Sequence, residues 1–421
     1  MCVNSASLNL MAKPMQSISS CLYSIIIFTF ISGFVHSITL QSDIEALRSL
    51  KQAIDPISIP RFSFLHSWNF HVDPCQSSGG NFLGILCSFP PDNTRSRITS
   101  LDLDAGGYDG FLTSAIGNLT ELTTINLSKN RFRGPIPDTI SNLKMLTRLS
   151  LSENFFTGGL PTRISTLKML QIVDVSYNNL SGLIPAAISG IRSLTQLRMS
   201  NNGFTGRIPN LNGLWQLNTL ELSSNQLFGY LPQLPTSLRT LSLSHNILSG
   251  GVSTLRQLKR LQVLDLSQNR FSGFIDQAIL NLPEVNHINV SVNRFTSIAV
   301  IKISGGGSQL RVLDGHSNNL RGHLPVNLVT YANLTAINLG HNQFSGQIPP
   351  DYGRKLGQSW RSLFLDYNFL VGSLPTQFNL LAVRIRGSLA KNCLSCPRNI
   401  LLCSGGQRSA SECVGQNHGS R

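Results

Sequence analysis

Leu143-Lys-Met-Leu146-Thr-Arg-Leu149-Ser-Leu151-Ser-Glu-Asn154-Phe-Phe156-Thr-Gly158-Gly-Leu160-Pro161 is the phrase on which the fold turns. The following stretch restates it as Leu167, Leu170, Val173, Val175, Asn178, Leu180, Gly182, Ile184 and Pro185. Asn130, Asn154, Asn178 and Asn202 stand at equal intervals of 24 residues, each closing an apolar-x-apolar-x-x-Asn motif. The motif returns at Leu220/Leu222/Asn225, Leu241/Leu243/Asn246, Leu264/Leu266/Asn269, Ile288/Val290/Asn293, Ile337/Leu339/Asn342 and Leu363/Leu365/Asn368. A unit at Leu101/Leu103 carries Gly106 where Asn is expected, and one at Leu313 carries Gly315 in place of the second Leu. About twelve units fill residues 98–375. A period of this length marks stacked repeats that grow as one quasi-linear domain, an α/β solenoid.

Each slot has a physical reason. The apolar pair alternates with period two, so it forms a short strand with both side chains turned inward. Strands of successive units stack in parallel and leave the x positions on a concave, solvent-facing sheet. The Asn amide both donates and accepts, so a column of Asn satisfies turn groups that burial would orphan. The later Gly permits a backbone conformation closed to other residues, and the Pro after it fixes the return path.

Charge is sparse, 13% of residues, and the balance is +14. A basic chain points to acidic partners, but no run of five like charges exists; Arg256 to Arg260 and Arg384 to Arg386 are short. Nucleic acid is excluded by the N-terminus: residues 22–35 are an apolar run too short to span a bilayer comfortably, followed by Val35-His36-Ser37. That is a signal peptide over residues 1–37, with Met11 or Met15 as alternative starts and an uncleaved anchor as the competing reading. No second apolar segment of that kind follows, so no transmembrane anchor beyond the signal segment is expected. The chain is therefore expected in the extracellular space, the cell wall or at the outer face of the plasma membrane. Cys2 and Cys21 leave with the leader; the other six flank the repeats. Cys75 and Cys87 precede the first unit and are expected to pair. Cys393, Cys396, Cys403 and Cys413 follow the last and allow three pairings. A zinc site on those four is the alternative, disfavoured because secreted thiols oxidise. The expected boundaries are an N-terminal cap at 38–97, repeats at 98–375 and a Cys-rich cap and tail at 376–421. Five sequons lie in the array, at Asn118, Asn126, Asn179, Asn289 and Asn333, although the repeat phrase itself tends to generate them.

Gly134-Pro-Ile-Pro137, Gly206-Arg-Ile-Pro209 and Gly346-Gln-Ile-Pro349 resemble the ending of the plant-type leucine-rich repeat. Ala46-Leu47, Leu50, Ile54-Asp55-Pro56, Ser67-Trp68, Asp73-Pro74-Cys75 and Gly84-Ile85-Leu86-Cys87 resemble that family's N-terminal cap, with Phe82 the nearest aromatic where a Trp is usual between the cysteines. Gly305-Gly306-Gly307 interrupts an irregular unit that is read as a decayed repeat or a small island. The resemblance implies a right-handed leucine-rich-repeat superhelix with a parallel concave sheet and disulfide-stapled caps. It further implies an extracellular recognition protein akin to receptor-like proteins or polygalacturonase inhibitors, without a kinase domain.

Catalysis finds little support. Asp102, Asp265, Asp314 and Asp366 take outward slots, but no nucleophile elbow, metal helix motif or phosphate loop accompanies them, and no enzyme, cofactor or metal is expected. Binding is expected on the concave face. Early units present Glu153, Tyr177, Arg198, Asn201 and Glu221. Later units present His245, Asp265, Gln268, His287, Asp314, His316, His341, Phe364, Asp366 and Tyr367. Aromatic and charged residues are the usual anchors of an interface. Histidine ordinarily titrates near 6.5, so binding through His287, His316 and His341 is expected to change between pH 5 and 7. The expected partner is a protein or peptide, such as a receptor-kinase ectodomain or a wall hydrolase, in signalling or defence. The alternatives are a soluble inhibitor of a wall-degrading enzyme and a structural wall protein held by acidic polysaccharide.

Overall fold

The computed structural model describes residues 39–76, 80–89, 94–302, 308–380, 385–397 and 399–414. The expected signal peptide at 1–37 and the triple glycine at 305–307 lie outside these residues. The inward leucines form one continuous core from Ala46 to Leu402, and the strand and Asn columns divide it into regular layers. The concave sheet has fourteen strands in register, with Leu101, Ile125, Leu149, Val173 and Leu197 side by side. Its first strand, Ile85–Ser88, runs antiparallel to Arg97–Asp102 and covers the edge that parallel stacking would expose. A second, flanking sheet follows the Asn column, from Asp109–Phe111 to Arg294–Ile298. It resumes at Arg321–His323, so the irregular unit interrupts this sheet while the concave one runs on. Short 3-10 turns such as Asp138–Asn142 and Ala186–Gly190 close the convex side.

The Asn column works as a ladder. The Oδ1 atom of Asn154 accepts from the Phe132 amide at 2.9 Å, while Nδ2 donates to the carbonyls of Leu127, Leu151 and Ser152 at 2.9–3.1 Å. The same set recurs at Asn178, Asn202 and onward to Asn392. Just before each Asn sits a residue in the left-handed region, among them Lys129, Glu153, Tyr177, Val292 and Tyr367. Where Gly106 replaces Asn, the Tyr108 ring fills the space that a side chain would take. Its hydroxyl donates to Asp104 and accepts from the Leu65 amide, and burial followed by the Asp104 bond pushes the phenol above its ordinary range.

The N-terminal cap is a helix, Gln41–Gln52, that buries Ala46, Leu47 and Leu50. Asp43, fully buried, locks it to the first parallel strand: the carboxylate takes two bonds from Arg97 at 3.0 and 3.1 Å and one from the Ile98 amide at 3.0 Å. Phe82, the nearest aromatic to the position where a Trp is usual, is buried and stacks on buried Trp68. The structure joins Cys75 to Cys87, Cys393 to Cys413 and Cys396 to Cys403.

The ladder runs one unit further than the periodicity predicts. Arg386–Ser388 pairs in parallel with Ser362–Phe364, and Asn392 joins the column, inside the segment assigned to the cap from residue 376. Gly387 takes the slot of the first leucine, which hides the unit from a leucine count. A Cβ there would meet the Leu363 carbonyl and Leu402, the cap residue that supplies the missing apolar contact.

Candidate functional site

The fifteen candidate side chains fall into three geometrical classes. Arg198, Glu221, Asp265, His287, Asp314 and Phe364 lie on the concave strands. Glu153, Tyr177, Asn201, His245, Gln268, His341 and Tyr367 do not; each is the left-handed residue beyond the strand, with φ between 52° and 57°. His316 and Asp366 lie between, on the turn. Period-two alternation ends with the strand, so the positions after the second leucine form a rim instead of a sheet face.

Several strand-slot groups have a local task. Asp265 accepts from the amide and hydroxyl of Ser267, and Asp314 accepts from the His316 amide at 3.1 Å and binds His316 Nδ1 at 2.7 Å. Asn289 holds Ser291 in the same way. These are Asx turns, in which a short polar side chain caps a backbone N–H two residues on. They stabilise the exit from the strand and leave fewer free lone pairs for a ligand than the sequence suggests.

Three places bring candidates together. Arg198 pairs with Glu221 across adjacent strands at 3.4 Å. Asp314 reaches His316 and Asn338, the latter at 3.4 Å. At the C-terminal end the His341 ring stacks on Tyr367 with centroids 4.2 Å apart, His341 Nε2 lies 3.6 Å from Asp366, and Phe364 stands on the strand beside Asn338. Glu153 pairs with Lys129 at 3.9 Å between exposed side chains, and Tyr177 projects into solvent. A further polar depression, on the rim before the strands, is lined by Gln262, Glu284, Asn286, Gln309 and Arg311. The leucine phrase gives no signal for it, because these residues belong to connections.

Asn118 and Asn179 are exposed, whereas Asn126 donates to Asp102 at 2.8 Å and Asn333 donates to the Ser308 carbonyl at 2.9 Å. Among the described residues no three His, Cys, Asp or Glu side chains converge as a metal cage, and no helix is long and apolar enough to cross a membrane.

The family described as leucine rich repeat N-terminal domain matches residues 40–88, and the leucine rich repeat family matches 121–143, 145–167, 169–191, 193–213 and 333–354. A two-copy repeat family matches 236–277. Receptor-like protein 18 of Arabidopsis thaliana is 32% identical over 95 residues, 22% of this chain and 11% of that protein, so the match spans about a tenth of that relative. The structure resembles the plant peptide hormone receptor RGFR1 in complex with RGF2, with a TM-score of 0.61 and 29% identity over 71% of this chain and 52% of that one. It also resembles the leucine-rich-repeat ectodomain of the Arabidopsis thaliana membrane receptor kinase GASSHO1/SCHENGEN3 in complex with CASPARIAN STRIP INTEGRITY FACTOR 2. There the TM-score is 0.68 and identity 25%, over 84% of this chain and 44% of that one. With the repeat phrase, the Asn ladder and the cap all in agreement with these likenesses, the chain belongs to the plant leucine-rich-repeat proteins.

Proposed function

We propose that this chain is an extracellular recognition protein that holds a peptide, or an extended segment of a protein, against the C-terminal end of its concave face. The observation that carries the reading is the cluster of Phe364, His341, Tyr367 and Asp366 on two neighbouring units. Aromatic side chains beside a charged group are the usual hot spots of a recognition surface, because each rigid ring buries much area at little entropic cost. The similar ectodomains are those of a peptide hormone receptor with RGF2 and of a receptor kinase with CASPARIAN STRIP INTEGRITY FACTOR 2. In this reading the leader at 1–37 is removed, the six remaining cysteines staple the caps, and the protein acts in signalling or defence.

The test is photocrosslinking of the tagged, secreted chain in plant extracellular fluid and membranes, with partners identified by mass spectrometry. A Phe364→Ala/Tyr367→Ala variant is expected to lose the captured peptide or protein. Capture of the same partners at the same level by the variant would overturn the proposal. Capture of a glycoside hydrolase that depends on the concave residues would make the chain an inhibitor.

A further inference from the structure

The flanking sheet carries a second, unassigned surface. Across the strands Gln226–Gly229, Ile247–Gly250, Arg270–Ile275 and Arg294–Ile298 runs an open groove of about 620 Å³ whose lining includes Arg207, Phe228, Tyr230, Arg270 and Arg294. Three features set it apart. First, its charge is uncompensated. No Asp or Glu lines it, and among the described residues Arg207, Arg270 and Arg294 are exposed and in no ion pair. The acids of this stretch are engaged elsewhere: Glu221 with Arg198, Asp276 with Arg256, Glu284 with Arg239, and Asp265 in its own turn.

Second, the repeat glycines turn it into a shelf. A Cβ at Gly229 would lie 3.2–3.5 Å from Arg207, and one at Gly250 would collide with the Tyr230 ring, so both side chains lie over the backbone of the next unit. Tyr230 is 70% exposed and Phe228 46%, which leaves much of both rings open to solvent. Third, the strands Gln226–Gly229, Ile247–Gly250 and Arg270–Ile275 beneath it are hydrogen-bonded on both sides. The sheet edge lies at one end of the groove, at Arg294–Ile298, so a peptide cannot join as an added strand along most of the floor.

We infer that this groove binds an acidic polysaccharide of the polyuronate class, lying along the solenoid across successive units. Pyranose rings place a C–H face on exposed aromatic rings, and their carboxylates match the planar fork of arginine. At about 4.8 Å between strands, the four-strand floor spans about 14 Å, room for a few sugar units. The peptide proposed for the concave face is not needed for this site.

The test is affinity electrophoresis of the full secreted chain through gels containing polygalacturonate, its fully methyl-esterified form, or poly-glutamate. Retardation by polygalacturonate and not by the ester is expected. An Arg207→Gln/Arg270→Gln/Arg294→Gln variant is expected to bind about tenfold more weakly, as the loss of three exposed ion pairs implies. Tyr230→Ala is expected to weaken binding about threefold with no change in charge. An Arg192→Gln/Lys259→Gln/Arg260→Gln variant removes the same charge from exposed turns that lead into the concave strands, outside the groove, and is expected to bind as the parent does. Equal weakening by the two triple variants would overturn the inference in favour of diffuse charge. Equal retardation by poly-glutamate, with no effect of Tyr230→Ala, would overturn it in favour of acidic peptides.

Discussion

Replacing Asn178 tests what holds the repeats together. The Asn178 Oδ1 atom is the acceptor for the Phe156 amide at 2.9 Å, and its Nδ2 donates to the carbonyls of Leu151, Val175 and Ser176 at 3.0–3.1 Å. In Asn178→Ala each carbonyl keeps another donor. Leu151 retains Asn154, Val175 retains Asn202, and Ser176 retains the Glu153 amide. The Phe156 amide loses its side-chain acceptor inside a buried layer. The loss therefore centres on one orphaned buried N–H, about 2 kcal/mol. Asn178→Asp keeps the acceptor but turns a carboxylate toward three carbonyl oxygens, so it is expected to cost more than Ala by about 1–3 kcal/mol. Urea unfolding followed by circular dichroism gives the order wild type, Ala, Asp, and the Phe156 amide is expected to exchange about tenfold faster or more in Asn178→Ala. An alanine variant within about 0.5 kcal/mol of wild type would refute the orphaned-amide account. An aspartate variant milder than alanine would show that accepting alone matters.

Other perturbations separate the remaining contributions. Gln407→Ala is expected to remove exchange protection from the Leu394 amide and fray the last unit while the middle units keep their stability, since a repeat is coupled only to its neighbours; loss of protection throughout the array would contradict this. Asp43→Ala orphans the Ile98 amide and leaves Arg97 only its weaker partners Glu121, at 3.9 Å, and Thr120, and is expected to cost about 2 kcal/mol and to open the Gln41–Gln52 helix to exchange. Burial pushes the Tyr331 phenol up to about 12, so its contribution is present below the unfolded value near 10 and is lost as pH rises through about 12. Tyr331→Phe is expected to show a shallower loss of stability across that alkaline window in denaturant titrations. Val292 is β-branched at a φ of 52°, and Val292→Asn is expected to stabilise the chain by about 1 kcal/mol, read as a shift in the urea midpoint.

Most of the scaffold is legible in the sequence because its energetics are local and repeated. A leucine that faces inward in one unit faces inward in the next, and an Asn at the end of a strand meets the same carbonyls each time. Legibility fails where one residue type does the work of another. Gly387 occupies a leucine slot because Leu402 reaches in from the cap, and nothing in the spacing links the two. The candidate site is less legible for a related reason. Alternation identifies outward positions only while the strand lasts, so His341 and Tyr367 sit on the left-handed rim, and Asp314 is occupied by its own turn. Nor does the phrase mark Arg207, Tyr230 and Arg270, whose proximity depends on the register of the flanking sheet.

The left-handed rim also shows how the fold separates stability from recognition. Backbone strain at an isolated position is a pointer to function, but here it recurs at Lys129, Glu153, Tyr177, Ser224, Val292, Ser317 and Lys391, residues with no common chemistry. A strain present before every Asn of the ladder belongs to the scaffold, and the amide that follows offsets it by satisfying the turn. The side chain at that position then projects from the rim with little to pack against: Tyr177 is 59% exposed and Tyr367 41%. Core and ladder therefore place few demands on its identity, and substitution there changes the surface without disturbing the layers beneath. The ring stack of His341 on Tyr367 uses this freedom. Two rim residues one unit apart come within 4.2 Å because the ladder sets the spacing of their backbones, so the Asn column that stabilises the solenoid also fixes the geometry of the proposed binding surface.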